Sequence, residues 1–236
     1  MEFLSRGGNP LDKILDTGMK RGEVTLVYGE SGTGKTSLAI QCAFLCAKIG
    51  LKTIFIDSDR TFSSSRLVQI ADKELKNISP LIFVVKPSTF HEQTLLVASL
   101  ENYNLQNIAL IIVDSITNLY KSELDSTEKI FVSNMKLNWQ LAYLTEIAKL
   151  YNISILLTSQ VRSIFREGLQ NEEIEPIANR VLSFWSQKII KLEKIPNSTI
   201  KKAKIEKDKS DKESEMSCSY FIEKRGIVNV NESNDK

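Results

Sequence analysis

The stretch "GESGTGKT", residues 29 to 36, leaves a folding chain few options. It follows the apolar run "EVTLVYG" (23 to 29) and precedes a segment that reads as a helix, so the backbone must pass from strand to helix in a few residues. Glycines at 29, 32 and 34 permit a tight turn, and the N–H groups of the loop and of the following helix start then converge on one point. That arrangement binds anions. The spacing fits G-x-x-x-x-G-K-[ST], which predicts a nucleoside triphosphate site. Gly29, Glu30, Ser31, Gly32, Thr33 and Gly34 would cradle the phosphates, Lys35 would reach the β and γ phosphates, and the Thr36 hydroxyl would bind Mg²⁺.

The strand in front of this loop is one of five. Further runs are "KTIFID" (52 to 57), "LIFVVK" (81 to 86), "IALIIVDS" (108 to 115) and "ISILLTSQ" (153 to 160). They are continuously apolar, as strands covered on both faces must be. Helical patterns lie between them, the clearest being Leu137, Leu141, Leu144, Ala148 and Tyr151 in steps of four and three. Alternation of strand and helix predicts an α/β fold with a largely parallel sheet flanked by helices. Beyond residue 187 the runs "KIIKLEK", "TIKKAKIEK" and "CSYFIEKRGIVNV" read as antiparallel strands closing one edge. With 236 residues, 42% of them hydrophobic, the chain is sized for a single domain over residues 1 to 230, with 231 to 236 as a flexible tail.

A formal charge of +2 is too mild to argue for nucleic acid, so any such partner must be recognised by local patches. Cys42, Cys46 and Cys218 form neither a disulfide framework nor a zinc pattern and read as buried thiols. The N-terminus lacks a cationic start with an apolar core, and no apolar run reaches the ~18 residues of a membrane span. A cytoplasmic protein without membrane contact is the expectation. His91, the sole histidine, falls at a helix start, where capping or solvent exposure suits it better than catalysis.

A magnesium-bound triphosphate needs a second acidic group at a neighbouring strand end, and Asp114, after the run at 108 to 113, supplies it. A strand-end aspartate also serves as a helix cap, and it is the pairing with the loop at 29 to 36 that favours the metal role. The stretch "FIDSDRTF" (55 to 62) adds Asp57 and Asp59. A period of two would put both carboxylates on one side.

Taken together, "GESGTGKT", "FIDSDRTFSSSRL", "LIIVDSITNLY" and "LYNISILLTSQV" resemble the RecA-type recombinase ATPases, and within them the archaeal RadA and RadB branch. The likeness runs from about residue 5 to about residue 230. Two features are similar to the short RadB paralogues: the chain opens directly on the ATPase core, without room for RadA's small N-terminal domain, and "VLSFWSQKIIKLEK" (181 to 194) matches RadB's segment after its second DNA loop. The resemblance implies a RecA-type P-loop core with ATP and Mg²⁺ as cofactors, and weak ATPase activity. It also implies DNA contact, single-stranded and weak, in repair and homologous recombination beside a principal recombinase of the RadA type, with homo-oligomers as a further option. By position, Asp59 matches the glutamate that deprotonates the attacking water, Arg66 the arginine that stacks on adenine, and Gln160 the γ-phosphate sensor. Asp59 is one methylene shorter than that glutamate.

The same resemblance places the second DNA loop at residues 161 to 176. There Arg162 and Arg166 would neutralise phosphates and Phe165 would stack on a base, while Glu172, Glu173 and Glu175 weaken the patch. Lys207 and Lys209 match paired lysines that reach a neighbouring subunit's γ-phosphate. Otherwise the run at 200 to 215 reads as a solvated hairpin. Two other readings stay open at this point: a KaiC-like signalling ATPase, and a regulatory module that holds ATP without hydrolysing it.

Overall fold

The structure, a computed structural model, describes residues 19–124, 127–164, 173–208 and 216–230. Along the chain run β1 (Val24–Gly29), α1 (Lys35–Lys48), β2 (Lys52–Asp57), α2 (Ser64–Ala71), α3 (Leu75–Ile78), β3 (Ile82–Val85), α4 (Phe90–Ala98) and β4 (Ile108–Asp114). There follow α5 (Asn118–Lys121), α6 (Thr127–Tyr151), β5 (Ser154–Ser159), β6 (Val161–Ile164), β7 (Glu173–Pro176), α7 (Asn179–Trp185), β8 (Lys188–Lys194), β9 (Lys201–Asp208), β10 (Ser217–Glu223) and β11 (Gly226–Asn229). All five apolar runs are strands, and β1, β4 and β5 are buried along their whole length.

Nine strands form one sheet in the order β11-β10-β9-β8-β1-β5-β4-β2-β3, and β6 and β7 pair in a small second sheet. Strands β8, β1, β5, β4, β2 and β3 are mutually parallel. The rest of the large sheet is antiparallel, in the pairs β8–β9, β9–β10 and β10–β11, as is the β6–β7 pair. The run "KIIKLEK" thus pairs antiparallel with β9, as the sequence suggested, and on its other side parallel with β1. It arrives through α7, and a helical crossover returns a strand parallel to the one it joins. Because β1, β2, β4 and β5 point the same way, the loops after them gather at one edge of the sheet, where open α/β sheets hold ligands.

Side chains alternate along each strand and fill two cores. Phe55, Ile112 and Leu156 pack with Leu38, Phe44 and Leu67 under α1 and α2. Ile56, Ile111 and Leu157 pack with Phe90, Leu137, Leu144 and Leu182 under α4, α6 and α7. On α6 the stripe Leu137, Leu141, Leu144 and Ala148 is buried as its spacing predicts, but Tyr151 is 40% exposed and Ile147 completes the face. The steps of four and three drift off the buried stripe by the last turn. His91 is exposed in the first turn of α4, whose cap is Thr89, accepting from the Glu92 N–H at 3.1 Å. Cys42 and Cys46 are buried and Cys218 is half-buried, and none of the three is in a disulfide. Among the described residues no helix is long and apolar enough to cross a membrane.

The β10–β11 hairpin is bound to the core by polar contacts as well as by Tyr220 and Ile227. The Gln41 side chain accepts from the Ile227 N–H at 2.8 Å and donates to the Ile227 carbonyl at 3.4 Å. Gly226 makes the turn at φ +117°, and a Cβ there would lie 2.6 Å from Gln41 Oε1. Gly226→Ala therefore combines a left-handed strain with a clash and is expected to cost roughly 1 to 3 kcal/mol. Urea denaturation checks this as a lowered midpoint.

Candidate nucleotide site

The loop after β1 is shaped by two close approaches. Gly29 pairs with Leu192 of β8, and a Cβ on it would sit 2.3 Å from the Leu192 carbonyl oxygen, so only glycine lets β8 lie this near the loop. Gly34 turns into α1 at φ +97°, with Ile222 of β10 where a side chain would go. Thr33, fully buried, closes the loop by donating its hydroxyl to the Glu30 carbonyl at 2.8 Å, and its own carbonyl accepts from the Tyr220 hydroxyl at 2.7 Å. Ser31 and Gly32 are exposed at the loop tip. The Lys35 ammonium lies folded over the loop, donating to the carbonyls of Gly29 (2.7 Å) and Glu30 (2.9 Å). Burial pulls its pKa below the ordinary lysine value, while the carboxylates of Asp114 and Asp59 push the other way.

Register brings the other strand ends to the same place. Asp57 and Asp114 are direct neighbours across β2 and β4, and the Asp114 carbonyl accepts from both the Ser58 and Asp59 N–H groups, at 2.8 and 3.1 Å. The peptide between Asp114 and Ser115 is cis. The Asp114 carboxylate, 1% exposed, accepts from the Thr158 hydroxyl on one oxygen and, at 3.5 Å, from the Thr61 hydroxyl on the other. Thr61 in turn lies 3.3 Å from the Thr36 hydroxyl. Burial raises the Asp114 pKa above the usual carboxylate value, against the lowering effect of the Thr158 and Thr36 hydroxyls.

The two aspartates of "FIDSDRTF" do not share a task, because β2 ends at Asp57 and the period of two ends with it. Asp57 is buried. It accepts from the N–H groups of Thr61 and Phe62 at 2.9 and 3.1 Å and lies 3.2 Å from Lys86 Nζ, so both its oxygens hold the following loop. Asp59 instead lines an open pocket of about 550 Å³ together with Lys35, Thr36, Thr61, Gln160 and Ile222. Its Oδ1 accepts from the Ser115 hydroxyl at 2.8 Å. Gln160, at the end of β5, donates from Nε2 to Asn118 Oδ1 at 3.1 Å.

Arg66, the residue matched to the base-stacking arginine, is not among the pocket-lining side chains. It lies in the capped first turn of α2, and its guanidinium donates to the Lys224 carbonyl at 3.0 Å, tying α2 to the β10–β11 turn rather than lining the pocket. Arg162 is likewise engaged within the chain. It faces Glu175 across the β6–β7 pair, and two of its guanidinium nitrogens donate to one Glu175 oxygen at 2.8 and 2.5 Å. The Lys207 ammonium donates to the Ser183 carbonyl of its own chain. Phe165, Arg166 and Lys209 lie outside the described residues.

The sequence reading missed Thr61 and Thr158, which surround the Asp114 carboxylate, although both stand inside the stretches it singled out. Ile222 and Tyr220 had no local signal. They are separated from the loop by more than half the chain and reach it only through β10.

The donor set suits a hard cation bound with a triphosphate: one buried carboxylate, threonine hydroxyls and a lysine. No group of three or more His, Cys, Asp or Glu side chains able to hold a metal occurs among the described residues. Magnesium commonly takes one or two carboxylates together with the phosphates themselves. A carboxylate buried this deeply is held against its own desolvation. Asp114→Asn is therefore expected to raise the thermal midpoint of the nucleotide-free protein, as read by calorimetry; a lower midpoint would contradict this account of Asp114.

Comparison with known proteins agrees with this geometry. The sequence matches the Rad51 family over residues 2–230. It is 34% identical over 226 residues to a DNA repair and recombination protein RadB of Methanococcoides burtonii, covering 96% of this chain and 97% of that one. It is also 34% identical over 234 residues to the RadB of Thermococcus kodakarensis, covering 97% and 100%. A crystal structure of a RadB recombinase superposes with a TM-score of 0.79 at 31% identity, covering 96% of this chain and 99% of that one. The chain thus belongs to the Rad51 family, among relatives named RadB.

Proposed function

We propose that the chain is an ATP-binding protein of DNA repair and homologous recombination, with slow Mg²⁺-dependent ATPase activity and weak contact with single-stranded DNA, working beside a principal recombinase. The observation that carries the nucleotide part is the convergence of Lys35, Thr36, Asp114, Asp59 and Gln160 on one sheet edge, from four different strand ends. Family membership and the names of the relatives support the pathway.

In this reading Lys35 exchanges the Gly29 and Glu30 carbonyls for phosphate oxygens, and the loop N–H groups and the start of α1 bind the rest of the triphosphate. Thr36 and Asp114 would hold Mg²⁺, with Thr61 linking them, and the ion would supply neutralisation of the triphosphate's charge. Asp59 orients and deprotonates a water, and Gln160 meets the γ-phosphate and passes its state through Asn118 and the adjoining β6. Its carbonyl accepts from the Ile177 N–H at 3.0 Å, so β7 is attached to the same residue.

Turnover is slow because the Asp59 carboxylate is retracted by about one bond, roughly 1.5 Å, relative to a glutamate there, and a general base works over ~2.6 to 3.2 Å. The Ser115 hydroxyl also holds one of its oxygens. That same contact favours, as a second reading, a module that binds ATP and signals through protein contacts without hydrolysis.

Lys35→Ala is expected to weaken MgATP binding by about 2 to 5 kcal/mol, on the order of thirtyfold or more, measured by calorimetric titration; retained affinity would overturn the phosphate-site assignment. In single-turnover assays Asp59→Glu is expected to speed hydrolysis and Asp59→Asn to slow it, both with little change in MgATP affinity. Equal rates in the native protein and the Asp59→Asn variant would transfer support to the non-hydrolysing module. For DNA, Glu175→Gln releases Arg162. It is expected to tighten single-strand binding and to steepen its salt dependence by about one counterion, and an unchanged slope in a salt titration would exclude Arg162 from the DNA contact.

A further inference from the structure

Beneath the nucleotide pocket, on the side of α4 and α6, two glutamines are buried that touch no surface of the pocket. Gln93 of α4 and Gln140 of α6 are each 0% exposed, and Ser58, the residue before Asp59, is 2% exposed. A buried primary amide is costly unless both of its ends are bonded, and here both are. The Ser58 hydroxyl donates to Gln93 Oε1 at 2.7 Å. Gln93 Nε2 donates to Gln140 Oε1 at 2.9 Å and to the Ile116 carbonyl at 3.4 Å, and Gln140 Nε2 donates to the Thr94 hydroxyl at 2.8 Å. Thr94 passes the chain to the Phe90 carbonyl at 2.8 Å and so ends it inside α4.

An apolar residue of similar volume would fill the same space, so packing alone does not call for these amides. What they do is fix Ser58. Its N–H is held by the Asp114 carbonyl, its own carbonyl accepts from Asn118 Nδ2 at 3.2 Å, and its hydroxyl is held by Gln93. A residue bonded at all three groups cannot rotate, and the next residue is Asp59. Satisfied buried networks of this kind rigidify what they touch.

We propose that Gln93, acting through Ser58 and locked in turn by Gln140, is a positioning residue that sets the placement of the Asp59 carboxylate in the hydrolysis step. The inference rests on the assignment of Asp59 as the base. A short carboxylate has little reach to spare, so its backbone must be held more firmly than that of a longer side chain. A misplacement of ~1 Å in such a group costs up to about 10²-fold in rate.

The test uses the full chain and measures single-turnover hydrolysis and MgATP affinity in parallel, for Gln93→Leu, for the milder Ser58→Ala, for Asp59→Asn, and for Asp59→Asn combined with Gln93→Leu. Gln93→Leu and Ser58→Ala should each slow hydrolysis on the order of tenfold or more, with MgATP affinity held within about twofold. In the Asp59→Asn background Gln93→Leu should have no further effect on rate, because the group it positions is already gone. An effect of Gln93→Leu that persists in full in that background, or a rate loss that follows a loss of affinity, overturns the proposal and leaves the network a packing feature. Hydrolysis undiminished in Asp59→Asn alone has a different signature: it removes the base assignment first, and the positioning role with it. Should Gln93→Leu fail to fold, a native rate in Ser58→Ala is sufficient to overturn the proposal.

Discussion

The main-chain carbonyl of Asp114 accepts two hydrogen bonds, from the N–H groups of Ser58 and Asp59, and the chemistry of the site depends on that junction. It joins the carboxyl ends of β2 and β4, so the buried carboxylate of Asp114 and the pocket-facing carboxylate of Asp59 are fixed relative to one another by backbone. Two negative charges at this spacing repel, and Asp59 contributes to raising the Asp114 pKa. The nearby Lys35 ammonium offsets part of that cost, and a cation with a triphosphate would reverse it. The site is therefore built at some expense to the empty fold, as is common where charge is concentrated for binding.

The C-terminal hairpin supports the loop at 29 to 36 from the other side. Tyr220 bonds the Thr33 carbonyl, Ile222 occupies the space beside Gly34, and Gln41 and Arg66 bond backbone groups of the β10–β11 region at Ile227 and Lys224. The contacts of Gln41 and Arg66 are made to hairpin backbone, so they fix where the hairpin lies without requiring particular hairpin side chains, whereas the bond to Thr33 needs the Tyr220 hydroxyl. Arg66 thereby ties α2 to the turn.

Two charged groups expected to face other molecules are bonded within their own chain. Arg162 is matched with Glu175 by the register of a two-stranded sheet, a pairing that no spacing rule in the sequence reveals. The pair is largely exposed on the arginine side, and such pairs are worth about 0 to 1 kcal/mol, so a phosphate is a realistic competitor for the guanidinium. Lys207 is held by the Ser183 carbonyl of α7, the helix that leads into β8, beside which β9 lies.

The sequence by itself determined the sheet, the loop at 29 to 36 and the strand-end position of Asp114, because these are set by local pattern: continuous apolar runs need cover on both faces, and glycine spacing before Lys35 admits few backbone paths. It also placed Asp59 and Gln160 at strand ends, through motifs that a resemblance could carry. Tertiary structure alone decided that Asp57 and Asp59 part company, since alternation stops where the strand does and Lys86 then claims Asp57. It alone decided that "KIIKLEK" joins β1 in parallel, because direction depends on the crossover and not on composition. The amide chain from Ser58 to Gln140 was likewise invisible, because a glutamine on a helix reads as a solvent-facing residue until the packing of α4 against α6 shows that there is no solvent for it to face.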